Sequence, residues 1–154
     1  MSRKLLAVLA LIASPAWAQE DGAGPNIVIE VDGQAKGQIV IDLADHVAPK
    51  HVAQIVALVQ EGAYDDVVFH RVIDGFMAQT GDVEFGKAGG SAQAGMGGSS
   101  KPDLAAEFSD LTFDRGVVGM ARSMDPNSAN SQFFIMFAPA PHLDGQYTVV
   151  GKVI

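Results

Sequence analysis

One short stretch concentrates side chains able to do chemistry together. It reads Phe69-His70-Arg71-Val72-Ile73-Asp74-Gly75-Phe76-Met77-Ala78-Gln79-Thr80-Gly81-Asp82, two β-prone runs meeting at Asp74-Gly75, a strong hairpin signal. Side chains alternate between faces along a strand, so the loop length decides which of them meet. A two-residue loop would pair Arg71 with Ala78 and send Gln79 to the opposite face. A three-residue loop, Asp74 to Phe76, would pair Ile73 with Met77 and Arg71 with Gln79 on one face. The second arrangement sets a guanidinium, an amide and a thioether side by side, with Phe76 at the rim. A lone strand arginine is more commonly a solvated edge charge, so the spacing alone leaves both readings open.

Other chemistries find no support. The chain has no cysteine, which excludes disulfide scaffolds, thiol nucleophiles and Cys-ligated zinc. Gly81 to Lys87 has the spacing of a phosphate-binding loop, but Ala88 stands where Ser or Thr must reach magnesium. Asp82 and Glu84 within it would repel phosphate. His46, His51, His70 and His142 form no i, i+4 pair of the kind that binds zinc on a helix, so no metal is expected. Ser99, Ser100 and Ser131 lack the context of a nucleophile elbow. The formal charge of −8 argues against a nucleic-acid groove or an anionic lipid surface.

The elements that must position the hairpin begin after a leader. Met1 to Ala18 opens with Arg3 and Lys4, continues through a nine-residue apolar run from Leu5 to Ala13, and closes on Ala16-Trp17-Ala18. This is the three-part layout of a secretory signal peptide, and the run is too short to cross a ~30 Å hydrocarbon core. Removing these 18 residues and their two basic side chains leaves 136 residues with a formal charge of −10. The mature product is expected in the periplasm with no stable membrane insertion, and lack of cysteine suits that oxidising space. Residues 19–25 then form a short tail, and 26–154 a single domain.

Strands are expected over Ile27–Val31, Gln38–Leu43, Val67–Ile73, Phe76–Thr80, Gly116–Ala121, Phe133–Phe137 and Tyr147–Ile154. Pro49 suits a first helical turn. Val52, Ile55, Val56 and Val59 repeat at helical spacing, and Gly62 can end the helix. Gly86 to Lys101 carries six glycines and three serines in 16 residues, which reads as a mobile surface loop or turn cluster and not a linker. Many strands with one amphipathic helix point to a mainly β fold, a barrel or sandwich.

With these residues in view, the chain resembles the cyclophilin-type peptidyl-prolyl cis-trans isomerases. Phe69 to Asp82 is similar to that family's central signature, with Asp74 in place of its usual proline. Gly119-Met120-Ala121-Arg122 with Ser128 to Ile135 forms a second block, and Leu143 to Tyr147 with Val149 to Val153 a third. Ala48-Pro49-Lys50 and Ala106-Glu107-Phe108 add weaker likeness. The resemblance runs from Ile27 to Ile154 and implies a closed or nearly closed antiparallel β-barrel with a capping helix. Family members usually continue into another helix and a closing strand. The expectation is therefore a C-terminally incomplete domain whose open edge lies near Ile27 to Val31.

The resemblance also implies roles. Arg71 falls on the catalytic arginine and Gln79 on the glutamine that positions it. Phe76, Met77, Phe134 and Leu143 fall on the apolar proline pocket, and Gln132 on a second glutamine in the groove. Ala121 and Arg122 match the segment whose backbone holds an extended peptide; many members have Asn at the Arg122 position. Tyr147 matches a position that is His or Tyr. His142 stands where many members use an aromatic residue, often Trp, to bind cyclosporin, a departure that bears on drug sensitivity more than on catalysis. The implied activity is isomerisation of X-Pro bonds in unfolded or flexible polypeptides by a monomer, with no cofactor. A non-catalytic peptide-binding module on the same fold is the alternative; retention of Arg71 with Gln79 favours the enzyme.

Overall fold

The structure is a computed structural model that describes residues 21–154, so the expected signal peptide and the first two residues of the tail lie outside the described residues. Seven strands form one antiparallel sheet: β1 (Asn26–Val31), β2 (Gly37–Leu43), β3 (Arg71–Ile73), β4 (Met77–Thr80), β5 (Val117–Met120), β6 (Phe133–Met136) and β7 (Val149–Val153). The order across the sheet is β1-β2-β7-β5-β6-β4-β3. One helix, α1 (Pro49–Gln60), connects β2 to the segment before β3. The expected mainly β architecture is a sheet curled into a half-barrel. It does not close by hydrogen bonding, because β1 and β3 are its two edges. A cleft of 790 Å³ lies between β1 and residues 64–69. Among the described residues no helix is long and apolar enough to cross a membrane.

Alternation along the central strands divides the apolar side chains into two layers. Val118, Met120, Phe133 and Ile135 face one side, where they pack with Ile41, Leu43, Val52, Ile55 and Val150. Phe134, Met136 and Met77 face the other, with Phe113, Ala140, Leu143 and Val149. Helix α1 covers the first layer. Its buried residues are His51, Val52, Ile55 and Leu58, a stripe rotated from the expected one, and Val59 is 40% exposed. Val59 borders the cleft beside β1, where no element covers it.

The strand limits are also narrower than expected, for local reasons. Gly81 takes φ +91 and ends β4, so in a register that opposes Arg71 to Gln79 nothing in β4 remains for Val67 to Phe69 to pair with. Val67 makes only an isolated bridge to Lys87, and the Val68 carbonyl instead accepts the Thr80 hydroxyl at 2.9 Å. Gly62, at φ +70, lies just past the helix end, as its position in the sequence suggested. The glycine-rich stretch is a cluster of turns held by side chains: Ser99 N–H and hydroxyl both donate to Asn130 Oδ1, at 2.8 and 2.7 Å.

The start of α1 is capped from a distance. Ala48 at the N-cap offers no side-chain acceptor, and Pro49 has no N–H to satisfy. The free donors are the N–H groups of Lys50 and His51, and both reach the Glu107 carboxylate, at 3.1 and 3.0 Å. The His51 ring, fully buried, bonds the same carboxylate through Nδ1. Burial raises the Glu107 pKa, but the bonds from the His51 ring and the two backbone donors outweigh it and hold the carboxyl below its ordinary value of 4.5. A carboxyl with a lowered folded pKa stabilises fully above its unfolded pKa and loses that contribution as pH falls through the folded one. Glu107→Ala is expected to cost about 2 kcal/mol near neutral pH. Urea unfolding should show that difference shrinking as the pH drops below 4.5; a difference independent of pH would overturn the capping role.

Candidate active site

The β3–β4 hairpin uses the three-residue alternative. Ile73 pairs with Met77, Val72 with Ala78 and Arg71 with Gln79. Phe76 N–H donates to Ile73 C=O at 3.0 Å to close the turn, and Gly75 supplies the φ of +69 that a side chain would resist. Strand β4 then pairs with β6, placing Gln79 opposite Phe134 and Met77 opposite Met136. Arg71, Gln79, Met77 and Phe134 therefore share one face of the sheet.

On that face lies a cleft of 170 Å³ lined by Arg71, Phe76, Met77, Gln79, Ala121, Arg122, Phe134, Leu143 and Tyr147. Its apolar wall is well packed: Met77, Phe134 and Leu143 are buried, and Phe76 is half-buried. Leu143 reaches the wall from a single 3-10 turn, Pro141–Leu143. Tyr147 meets the Phe134 ring edge-on at a centroid distance of 5.6 Å. Arg122 lies over the Tyr147 ring, 4.5 Å from its centroid, and donates to Gln146 C=O through Nε and Nη2 at 3.1 and 2.6 Å. Two of the eleven residues singled out from the sequence stand just behind or beside this lining. Gln132 accepts the Gln79 amide at 2.9 Å, and the exposed His142 ring stacks on Phe76 with centroids 5.9 Å apart.

The electrostatics of the cleft oppose those of the chain. Two guanidiniums line it and no carboxylate does, although the protein carries a formal charge of −8. Among the described residues neither Arg71 nor Arg122 forms an ion pair, and the Arg71 guanidinium makes no hydrogen bond. Gln79 and Arg71 are brought together by strand register; the Gln79 N–H group itself goes to Gln132. Beside the arginine, His70 has its pKa lowered by burial, against the nearby Asp82 carboxylate and with Arg71 adding to the lowering. A cationic donor thus shares the cleft with an apolar wall, and among the described residues no group of three or more His, Cys, Asp or Glu could hold a metal ion.

The family model described as cyclophilin type peptidyl-prolyl cis-trans isomerase/CLD matches residues 26–154. The chain belongs to that family. A Brucella suis protein named "Probable peptidyl-prolyl cis-trans isomerase" is 64% identical over 121 residues, which is 77% of this chain and 62% of that protein. The chain therefore spans about three-fifths of the length of that relative. "Peptidyl-prolyl isomerase CWC27" of Cryptococcus neoformans is 36% identical over 142 residues, covering 90% of this chain and 27% of the relative. Among solved structures, a Cryptosporidium parvum cyclophilin determined in the presence of the dipeptide Ala-Pro superposes with a TM-score of 0.67 at 32% identity. It shares 77% of this chain and 73% of its own. A cyclophilin from Hirschia baltica gives 0.63 at 29% identity, over 76% of this chain and 60% of that one.

Sequence reasoning missed the floor of this cyclophilin-type cleft. Phe113, 1% exposed, stacks under Phe134 with centroids 5.7 Å apart. It sits in a loop between Thr112 and Asp114, where no periodicity marks it as core. Gly119 of β5 carries the clearer signal: a Cβ there would lie 2.5 Å from Phe134 and 2.6 Å from Phe113. Only a residue without a side chain lets both rings meet beneath the wall. Gly119→Ala should therefore displace Phe134, at a cost of about 1–3 kcal/mol. Thermal unfolding and KM for a proline peptide should both register it; an unchanged KM would show that the floor does not shape the cleft.

Proposed function

We propose that this chain is a peptidyl-prolyl cis-trans isomerase acting on X-Pro bonds of unfolded or flexible polypeptides. The observation that carries the reading is an arginine free of ion pairs, Arg71, set beside an apolar cleft walled by Phe76, Met77, Phe134 and Leu143. Family membership supports it, and so does the Ala-Pro dipeptide named with the Cryptosporidium parvum structure.

The residues suit the reaction. The barrier to rotation comes from the partial double bond between carbonyl carbon and nitrogen, ~18–20 kcal/mol, and no covalent bond has to break. A planar amide is dipolar and well solvated, so an apolar wall around the proline removes solvation that favours the ground state. As the bond twists, the proline nitrogen regains its lone pair. A donor from Arg71 can bind that lone pair only then, which is selective stabilisation of the transition state. Arginine serves better than lysine because it stays charged and presents a rigid planar fork. Shortening a ~100 s exchange to ~1 ms requires about 7 kcal/mol, at about 1.36 kcal/mol per decade. One fixed donor supplies about 2.7–4 kcal/mol, so desolvation and alignment of the peptide along Ala121, Arg122 and Gln132 provide the rest.

Arg71→Ala is expected to lower kcat/KM for a cis X-Pro peptide by about tenfold or more. NMR exchange spectroscopy on parent and variant decides it. Equal, accelerated rates would remove Arg71 from the reaction, and a parent that fails to accelerate exchange would leave a peptide-binding module in place of an enzyme.

The proposal places this activity in the periplasm, after removal of Met1 to Ala18. When the full chain is expressed in a Gram-negative host, the periplasmic fraction should contain protein whose first residue is Gln19. Uncleaved protein confined to the cytosol would refute the placement.

A further inference from the structure

The isomerase reading leaves a fully buried carboxylate without a task. Asp82, two residues past β4, is 0% exposed. Its Oδ1 accepts the N–H groups of Glu84 and Phe85 at 3.1 and 2.9 Å. Its Oδ2 accepts those of Gly95 and Gly97 at 2.7 and 3.0 Å. The same two glycines turn their carbonyls to Gln132, whose Nε2 donates to Gly95 C=O at 3.0 Å and Gly97 C=O at 2.8 Å. Gln132 Oε1 in turn accepts Gln79 Nε2 at 2.9 Å.

Each link in this series has a fixed polarity. A carboxylate accepts only, so it orients the peptide N–H groups of Gly95 and Gly97 toward itself. Their carbonyls accept only, so they require the NH₂ of the Gln132 amide on their side. That leaves Gln132 Oε1 for Gln79, and its bond uses the Gln79 NH₂. Gln79 then keeps its second amide hydrogen and its carbonyl oxygen, and the oxygen is the one part of an amide that a guanidinium can use. Gln79 lies directly across from Arg71 in the hairpin.

We propose that Asp82 is a positioning residue for Arg71: through Gly95, Gly97 and Gln132 it fixes which way the Gln79 amide faces. The inference rests on the isomerase reading. The glycines are part of the device. A Cβ at Gly97 would lie 2.5 Å from Asp82 Oδ1, and one at Gly95 would lie 2.9 Å from the His70 ring. Both are needed for the loop backbone to reach the carboxylate. Burial raises the Asp82 pKa, and the four backbone donors outweigh it, so the carboxyl stays below its ordinary value.

Asp82→Asn keeps the shape but turns an NH₂ toward one pair of N–H donors. The expected result is a fall in kcat of about tenfold with KM within about twofold, because the apolar wall is untouched. The side-chain amide resonances of Gln79 and Gln132 should shift together. Gly97→Ala attacks the same contact from the loop and must give the same pattern; it decides the matter if Asp82→Asn does not fold. A folded variant with parental kcat and an unmoved Gln79 resonance overturns the proposal. So does a parallel loss in kcat and KM, which marks a merely structural carboxylate. If the parent itself fails to accelerate exchange, the isomerase reading fails, while the amide resonances still report whether Asp82 orients Gln79.

Discussion

Phe133 and Ile135 face the helix while Phe134 and Met136 face the cleft, so β6 has no solvent side. A strand buried on both faces cannot slip by one residue without exchanging its whole set of side chains between two different packing layers. Its neighbours inherit that fixed register. Strand β4 must bring Met77 and Gln79 to the face of Phe134, and β5 must bring Gly119 there, because cross-strand pairing leaves no other choice. The cleft is the outer surface of a layer whose inner partner is the main core under α1.

Register then propagates outward to the edge strand that holds the arginine. Strand β3 has only three residues and pairs on one side alone. Only Ile73 of the strand packs against the cleft-side layer, so its phase depends chiefly on the turn at Gly75. A turn shorter by one residue would place Arg71 opposite Ala78 and turn it away from Gln79. The strand position and face of Arg71 are therefore decided by two features, a positive φ at Gly75 and the double burial of β6.

The sequence made the hairpin visible because alternation and an Asp-Gly turn are local signals, though periodicity by itself left its loop length open. The helix was legible from Pro49 to Gly62 for the same reason, since both ends are marked by residues with restricted or unusual backbone freedom. What failed was the orientation of its buried face. Val56 and Val59 are as apolar as Val52, and only the absence of a covering element beside β1 leaves Val59 exposed. The loops were harder still. Phe113, Glu107 and Asp82 act across 21, 56 and 13 positions of sequence, on Phe134, His51 and Gly95 respectively. Long-range partners of this kind have no periodicity, so composition read the glycine-rich stretch as a mobile loop or turn cluster without showing that its backbone wraps around a carboxylate.

The exposure of Arg71 has an energetic consequence for the proposed reaction. In water a guanidinium is strongly screened, and a single exposed charge contributes little. The wall beside it is apolar and well packed, since Met77, Phe134 and Leu143 are buried in the free protein. In the proposed reaction a proline seated against that wall would cover the arginine as well, removing water from the charge as the amide nitrogen is brought near. Desolvation and hydrogen bonding would then not be two independent contributions. The apolar surface would raise the strength of the donor by lowering the dielectric around it, and the arginine would give that surface a direction in which the amide can twist. A cleft with the same wall and no guanidinium would bind proline without distinguishing the planar amide from the twisted one.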